Sequence, residues 1–215
     1  MSLSSAFKAR IHECGVIPIL TVTDPSSAVP IAEALVKGGV PIIEVTLRTE
    51  GGLRAIEAIA SQCPDIFLIA GTLVRPEDFA AAKSAGAVLS VSPGFHESLH
   101  DAASDVGLPW IPGVATASDL LGALKCNRTI VKFFPAASLG GVEALKALSA
   151  PFPQVTFCPT GGIGPEDMGA YLAQKAVLAV GGSWVMPKAA VDSKDWDAIR
   201  NNAQQAHAAV RQARG

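Results

Sequence analysis

The sequence has few cysteines, no cluster of like charges and no long apolar run. Its four cysteines lie far apart and form no Cys-x-x-Cys pair, so a zinc site is not expected. We predict free, mostly buried thiols in a reducing compartment. Because the formal net charge is only −2 and no Lys/Arg run is present, nothing favours nucleic acid or a membrane surface as a partner.

Signal-peptide and membrane-spanning patterns are absent as well. Met1–Arg10 has no apolar core, and no apolar run reaches the roughly 20 residues that cross a bilayer. The cytoplasm is therefore the expected location. The histidines match no metal motif, so we expect no metal site. We interpret all four histidines as surface residues: His12, His96, His100 and His207.

Short runs rich in Val, Ile and Leu recur along a chain that is 49% hydrophobic, and Ala-rich stretches separate them. Such runs are typical of parallel strands that helices cover. We predict eight strands, near Val16–Val22, Ile42–Arg48, Ile66–Thr72, Val88–Pro93, Trp110–Val114, Thr129–Pro135, Val155–Gly161 and Val177–Ser183.

The stretches between these strands predict helices, for example over Ser26–Lys37, Leu53–Cys63, Pro76–Ala85 and Val142–Leu148. Ser27 is expected to cap the first of them, while Pro76 and Pro165 suit first-turn positions. An additional helix near Ser4–Glu13 opens the chain and would cover the bottom of a barrel. A longer helix near Trp196–Arg214 closes the chain.

This alternation predicts a single α/β domain, a (β/α)8 TIM barrel that covers residues 1–215. Eight strands in 215 residues leave about 27 residues for each βα unit, which describes a minimal barrel with short loops. The alternative architecture is a doubly wound open sheet. That fold normally has a Gly-x-Gly-x-x-Gly turn after its first strand, and this sequence has none.

The polar residues of the second predicted strand fall on one face. Side chains alternate along a strand, so Glu44, Thr46 and Arg48 share the face that points into the barrel, while Val45 and Leu47 face the helices. The pair of charges could serve only to fix the core. Buried ion pairs do not reliably add stability, however, and ionisable groups in clefts are often functional. Glu44 and Arg48 are therefore candidate site residues.

Lys132 lies in the apolar centre of the sixth predicted strand and shares a face with Ile130 and Phe134. Burying a charged ammonium is costly, so this position favours the neutral amine, which is the reagent that attacks a ketone. The strand alone leaves a second interpretation equally open. In it, Lys132 is structural and reaches the barrel mouth or pairs with Glu44.

The last two predicted strands end in glycine-rich turns, Pro159–Ile163 and Gly181–Trp184. Barrels often bind a phosphate between the loops after strands seven and eight. There glycines let backbone N–H groups approach the oxygens, and a helix N-terminus adds a favourable dipole. Two such turns at the two expected strand ends, each beside a hydroxyl residue, predict a phosphate site.

Other strand ends carry shorter polar or glycine-containing turns. Thr72 could hydrogen-bond a substrate carboxylate or hydroxyl. For Gly71, Gly94 and Gly113, ordinary loop punctuation is at least as good an interpretation as a role in the site.

Seven of these motifs together resemble the 2-keto-3-deoxy-6-phosphogluconate (KDPG) aldolase family, also described as 4-hydroxy-2-oxoglutarate aldolase. They occur in the family's order, over about Val16 to Pro187. The motifs are Glu-Val-Thr-Leu-Arg-Thr, Ala-Gly-Thr, Ser-Pro-Gly, Ile-Pro-Gly, Lys-Phe-Phe-Pro-Ala, Cys-Pro-Thr-Gly-Gly-Ile and Gly-Gly-Ser-Trp.

The resemblance implies a class I aldolase that acts on a small phosphorylated keto acid, forms a homotrimer and uses neither a metal nor an organic cofactor. It implies that Lys132 forms the Schiff base and that Glu44 is the general acid/base. Phe134 would pack beside the Schiff base. The site for the pyruvyl carboxylate would comprise Arg48, Thr72 and Pro93. The phosphate cradle would comprise Thr160, Gly161, Gly162, Gly182 and Ser183.

Three alternatives stay open at the level of sequence. The first is an aldolase for the galactonate epimer of the substrate. The second is a phosphate-binding barrel isomerase or synthase that works without an imine. The third is a catalytically inactive barrel that senses a phosphorylated metabolite. The last two have no need for a lysine deep in a strand, so Lys132 is the residue that distinguishes them from an imine-forming aldolase.

Overall fold

Strands and helices alternate along residues 3–215, which the computed structural model describes. The strands are β1 Val16–Leu20, β2 Ile42–Thr46, β3 Phe67–Gly71, β4 Leu89–Val91, β5 Trp110–Ile111, β6 Gly113–Val114, β7 Ile130–Phe133, β8 Thr156–Pro159 and β9 Val180–Gly182. The helices are α1 Ser5–Cys14, α2 Ala28–Lys37, α3 Gly52–Gln62, α4 Pro76–Ser84, α5 Glu97–Asp105, α6 Ala117–Lys125, α7 Gly141–Ser149, α8 Pro165–Leu172, α9 Lys188–Asp192 and α10 Trp196–Arg214. A short 3-10 turn covers Pro25–Ser27.

The strands form a curled parallel sheet in two parts. The larger part has the order β5-β4-β3-β2-β1-β9 and the smaller part has the order β6-β7-β8. The pairs of strands are parallel throughout both parts. Two isolated bridges, Phe157 with Val177 and Thr160 with Gly181, join the last strands of the two parts. The α/β class with a parallel sheet agrees with the prediction.

The fifth predicted strand is interrupted, contrary to the prediction of one continuous strand. Trp110–Val114 is split at Pro112 into β5 and β6, which belong to different parts of the sheet. Proline has no N–H to donate to a strand ladder. Its carbonyl still accepts a hydrogen bond from the Lys132 backbone N–H at 2.8 Å. The chain therefore passes from one part of the sheet to the other at this residue.

Several predicted strands extend too far toward their carboxyl ends. The second ends at Thr46 and the sixth at Phe133, so Arg48 and Phe134 lie in the turns beyond them. The last predicted strand shortens to β9, because Val177 pairs only through an isolated bridge. The candidate site residues are therefore divided between strand ends and the turns that follow.

Helix starts were predicted with mixed success. Pro76 and Pro165 open α4 and α8, which confirms both first-turn positions. The cap at Ser27 was wrong, because its backbone is already helical and its side chain makes no capping bond. Asp24 acts one turn earlier instead, where its Oδ1 accepts from the Ser26 N–H at 3.0 Å.

Helix α1 packs at the amino-terminal end of the strands. The Ser4 hydroxyl accepts from the Phe7 N–H at 3.2 Å and caps the helix. The Phe7 ring meets the ring of Phe67, the first residue of β3, edge-on at 4.9 Å. The Arg10 guanidinium lies 5.5 Å from the centre of the same ring. None of the helices within residues 3–215 is both long and apolar enough to cross a bilayer.

The cysteines are free, as predicted, and three of them are buried. Cys126 is half-buried and the buried ones are Cys14, Cys63 and Cys158. The prediction of four surface histidines was wrong in part. His12 and His96 are exposed, whereas His100 and His207 are half-buried. Both lie on helices, and the position of a single histidine in the sequence does not show whether its face of the helix packs against the rest of the protein.

His100 belongs to a cluster on the outer side of the sheet. Arg128, which is only 4% exposed, donates to His100 Nδ1 from Nε at 3.2 Å and from Nη2 at 3.1 Å. Arginine has no acceptor, so Nδ1 must accept and the ring is neutral. The Arg128 guanidinium also lies 5.5 Å from the Trp110 ring centre. Burial, and after it the positive charge of Arg128, lowers the pKa of His100.

This cluster predicts a pH dependence of stability. The unfolded chain binds a proton at His100 more readily than the folded chain, since the folded pKa lies below the ordinary value of about 6.5. The contribution of His100 to stability should therefore be constant above about pH 6.5 and should fall as the pH drops below it. Urea unfolding between pH 8 and pH 5 measures the free energy of unfolding against pH. In His100→Asn the slope of this plot should be shallower, by an amount that corresponds to at most one bound proton. The exposed His12 also has a lowered pKa, so His12→Asn should reduce the same pH dependence, and its effect is measured separately. An unchanged slope in His100→Asn would contradict the assignment.

Candidate functional site

Lys132 and Glu44 meet on the inner face of the curled sheet. Lys132 lies on β7 and Glu44 on β2, 88 residues apart in sequence. Lys132 Nζ donates to Glu44 Oε1 at 3.1 Å, and the two side chains are only 5% and 4% exposed. Strand alternation aims both side chains inward, as the sequence predicted. The contact joins the smaller part of the sheet to the larger one through a buried ion pair.

Phe134 links this pair to the glycine-rich turn after β8. Its ring centre lies 5.4 Å from Lys132 Nζ, within the range of a cation–π contact. On the other side, a Cβ on Gly161 would lie only 3.2 Å from the same ring. Gly161 has a φ of +100°, so its turn needs a glycine on conformational grounds as well. Phe134 is therefore packed between the candidate nucleophile and the candidate cradle.

Arg48 and Thr72 form a second pair, at the carboxyl ends of β2 and β3. Arg48 is exposed, and its Nε donates to Thr72 Oγ1 at 3.2 Å. The outer nitrogens of the guanidinium are the ones that would form a two-pronged contact with a carboxylate. Thr72 has a φ of +63°, which is a rare conformation for a β-branched residue. Such strain clusters at functional sites.

Pro93 follows β4 and is half-buried beside β6. A Cβ on Gly113 would lie 2.1 Å from the Pro93 carbonyl oxygen, so the two backbone segments touch. Gly113 pairs with Lys132 in the β6–β7 ladder. The Pro93 turn is thus packed one strand away from the lysine.

The phosphate cradle residues lie at the ends of β8 and β9. Thr160 is buried and bridges to Gly181, which brings the two turns side by side. Gly161 and Gly162 both have positive φ values, and Ser183 is exposed at the end of β9. The first turn leads into the amino terminus of α8 at Pro165, where the helix dipole favours an anion.

A cavity of about 370 Å³ opens beside this region. It reaches Ser183 and is lined by the end of β1 and the segment around α9, including Thr21, Thr23 and Lys188. Lys132 and Glu44 lie outside its lining. Ser183 is therefore the cradle residue that borders the cavity.

Two inner-face residues were not singled out from the sequence. Thr21 Oγ1 lies 3.0 Å from Thr46 Oγ1, across the ends of β1 and β2. Cys158 pairs with Lys132 in the β7–β8 ladder, and burial raises the pKa of its thiol to about 12. This thiol stays protonated near neutral pH and does not compete with the Lys132 amine as a nucleophile. Thr21 lies inside the predicted strand Val16–Val22 but just beyond the end of β1 at Leu20, and none of the sequence motifs includes it.

Comparison with known proteins identifies the family. Residues 7–202 match the model of the KDPG and KHG aldolases, where KHG is 4-hydroxy-2-oxoglutarate. The chain belongs to this family. A KHG/KDPG aldolase of Escherichia coli K12 is 46% identical to it over 191 residues, which make up 89% of this chain and 90% of the relative. Membership makes the chain an aldolase, a carbon–carbon lyase.

Solved structures of the family have the same fold. KDPG aldolase from Legionella pneumophila, with pyruvate captured at low pH as a covalent carbinolamine intermediate, aligns with a TM-score of 0.88 and 40% identity over 92% of this chain and 96% of that chain. The aldolase of Zymomonas mobilis ZM4 with 3-phosphoglycerate also has a TM-score of 0.88 and 40% identity, over 93% of this chain and 94% of that one.

Proposed function

We propose that this aldolase cleaves KDPG to pyruvate and glyceraldehyde 3-phosphate through a Schiff base on Lys132. The observation that carries the proposal is the buried amine of Lys132, 3.1 Å from the Glu44 carboxylate. A buried lysine that a carboxylate can deprotonate is a nucleophile for ketones. The covalent pyruvate adduct in the Legionella relative supports the same chemistry.

The reaction begins with a proton shift inside the pair. Glu44 takes a proton from Lys132, and the neutral amine attacks the C2 ketone of the substrate. The carbinolamine loses water, with Glu44 donating the proton that the leaving hydroxide needs. The product is a protonated imine, whose positive nitrogen withdraws electrons from the neighbouring carbons.

Carbon–carbon cleavage uses the same carboxylate again. Glu44 accepts the proton of the C4 hydroxyl, directly or through a water molecule, as the C3–C4 bond breaks. The electron pair of the C3–C4 bond moves into the imine and leaves an enamine of pyruvate, while glyceraldehyde 3-phosphate departs. Protonation at C3 and hydrolysis then release pyruvate from Lys132. One group can serve every step because the acid of one step is the base of the next.

The two ends of the substrate bind in different regions. Arg48, held through its Nε by Thr72, binds the carboxylate together with the Pro93 turn. The cradle binds the phosphate through backbone N–H groups and the Ser183 hydroxyl. Phe134 lies between Lys132 and the cradle residue Gly161, and in this proposal it packs against the imine.

The range of substrates follows from the same division. Unphosphorylated 4-hydroxy-2-oxoglutarate has the keto-acid end and lacks the phosphate, so we propose that it is cleaved as well, to pyruvate and glyoxylate. The Escherichia coli relative is named for both activities. The configuration at C4 distinguishes KDPG from its galactonate epimer. An assay of pyruvate release from the three substrates decides among them.

We further propose that residues 1–215 form one (β/α)8 barrel domain, with α1 covering its bottom. The bridges at Phe157 and Thr160 and the continuous chain through Pro112 support closure of the sheet. The contact of α1 with Phe67 supports its place at the bottom. The homotrimer and the cytoplasmic location stay predictions. Sedimentation would test the trimer against the chain mass of 22.1 kDa.

Lys132→Ala should abolish turnover, because no other group supplies the imine nitrogen. Incubation with pyruvate and borohydride should reduce the imine and add mass to Lys132, which peptide mass spectrometry detects. Lys146→Ala, which removes an exposed lysine, should leave both turnover and labelling intact. Label on another lysine would refute the assignment.

Glu44→Gln should lose at least ~10²-fold in kcat, the typical size of general acid–base catalysis. Glutamine retains the shape and a hydrogen bond to Lys132, so the variant should still bind pyruvate. Glu33→Gln, an exposed residue paired with Lys37, is the matched control. A rate near that of the wild type would remove Glu44 from the mechanism.

Ser183→Ala should weaken phosphorylated substrates selectively. A hydrogen bond to a charged group contributes about 1.5–3 kcal/mol, so kcat/KM for KDPG should fall about tenfold or more. The value for 4-hydroxy-2-oxoglutarate should stay nearly constant. Ser61→Ala, on the exposed face of α3, is the control. Equal losses for both substrates would argue against a phosphate at Ser183.

A further inference from the structure

Gly71 is the last residue of β3 and has no conformational reason to be a glycine. Its φ lies outside the left-handed region, so any residue could adopt its backbone. It is buried, and it pairs with Thr46 in the β2–β3 ladder. A glycine inside a strand weakens it and often marks a close approach by another group. The question is which group approaches here.

The group that approaches Gly71 is the carboxylate of Glu44. A Cβ on Gly71 would lie 2.3 Å from Glu44 Oε1, 2.6 Å from its Cγ and 2.7 Å from its Cδ. These three nearest atoms all belong to one side chain. Such distances are far below van der Waals contact, so a methyl group and the present position of Glu44 exclude each other.

The displaced atom is the one that the chemistry needs. Oε1 is the oxygen that accepts from Lys132 Nζ at 3.1 Å. Glu44 stands opposite Ile69 in the ladder, and Thr46 stands opposite Gly71. The Glu44 side chain therefore leans across the neighbouring strand, toward the carboxyl end, and fills the space that residue 71 leaves open.

We propose that Gly71 is a positioning residue for catalysis: its missing side chain creates the space in which the Glu44 carboxylate reaches Lys132. This inference rests on the proposed role of Glu44 as proton carrier. Gly71 touches no reacting atom and acts only through Glu44. It differs in this from Gly161 and Gly162, whose positive φ values already require glycine.

Gly71→Ala tests the proposal. The methyl group should push Oε1 away from Lys132, and displacement of a catalytic group by about 1 Å can cost ~10²-fold in rate. We expect a loss of that size in kcat, a small change in KM, and a shift of the limb of the pH–rate profile that depends on Glu44. Gly169→Ala is the matched control, because a Cβ there meets nothing within 4 Å. A Gly71→Ala rate within threefold of the wild type would overturn the proposal.

A double-mutant cycle separates positioning from a structural role. In a Glu44→Ala background the carboxylate is gone, so adding Gly71→Ala should cause no further loss of the residual rate. An equal loss in both backgrounds would show that Gly71 serves the strand and would overturn the proposal. If Gly71→Ala alone does not fold, recovery of folding in the double variant supports the clash, and continued failure refutes it. A wild-type chain without aldolase activity would refute the proposed function instead.

Discussion

The arrangement of the site depends on one buried contact, the hydrogen-bonded ion pair of Lys132 with Glu44. Removing one partner of such a pair typically destabilises a protein by about 3–5 kcal/mol, whereas apolar residues of similar volume are often neutral or better. Stability therefore does not explain why two charges lie on the inner face of this sheet. The proposed proton exchange between the amine and the carboxylate gives a reason for the pair, since their 3.1 Å contact is within hydrogen-bond distance.

The site residues differ in solvent exposure, from the buried ion pair to exposed side chains. Lys132 and Glu44 are almost fully buried, Thr72 is half-buried, and Arg48 and Ser183 are exposed. All follow or approach the carboxyl ends of parallel strands, where one side of a sheet collects its loops. In the proposed binding mode, the carboxylate and the phosphate of the substrate lie near water, and its ketone lies in the buried region. Electrostatic effects are strong in that region.

Strand alternation was enough to predict that Glu44 and Lys132 face each other, because that argument needs only a period of two. Several of the features missed from the sequence depend on contacts between distant segments. The break at Pro112 shows only when the strand is assigned to two parts of the sheet. Ser27 was predicted to cap α2, but Asp24 provides the capping bond one turn earlier, and this difference is local. Gly71 looked like loop punctuation, since no local pattern shows that a carboxylate 27 residues earlier occupies its Cβ position.

Three unfavourable features lie together at the ends of β2 and β3. Glycine within a strand costs about 0.5–1 kcal/mol relative to alanine, a left-handed threonine costs about 1–3 kcal/mol, and a buried charge must be desolvated. Gly71 and Thr72 are adjacent, and Glu44 packs directly on the first of them. The apolar core elsewhere, which includes Phe79, Phe133 and Phe157, can offset such costs. The concentration of these three unfavourable features in one place supports the proposal that the position of the Glu44 carboxylate constrains this part of the fold more than stability does.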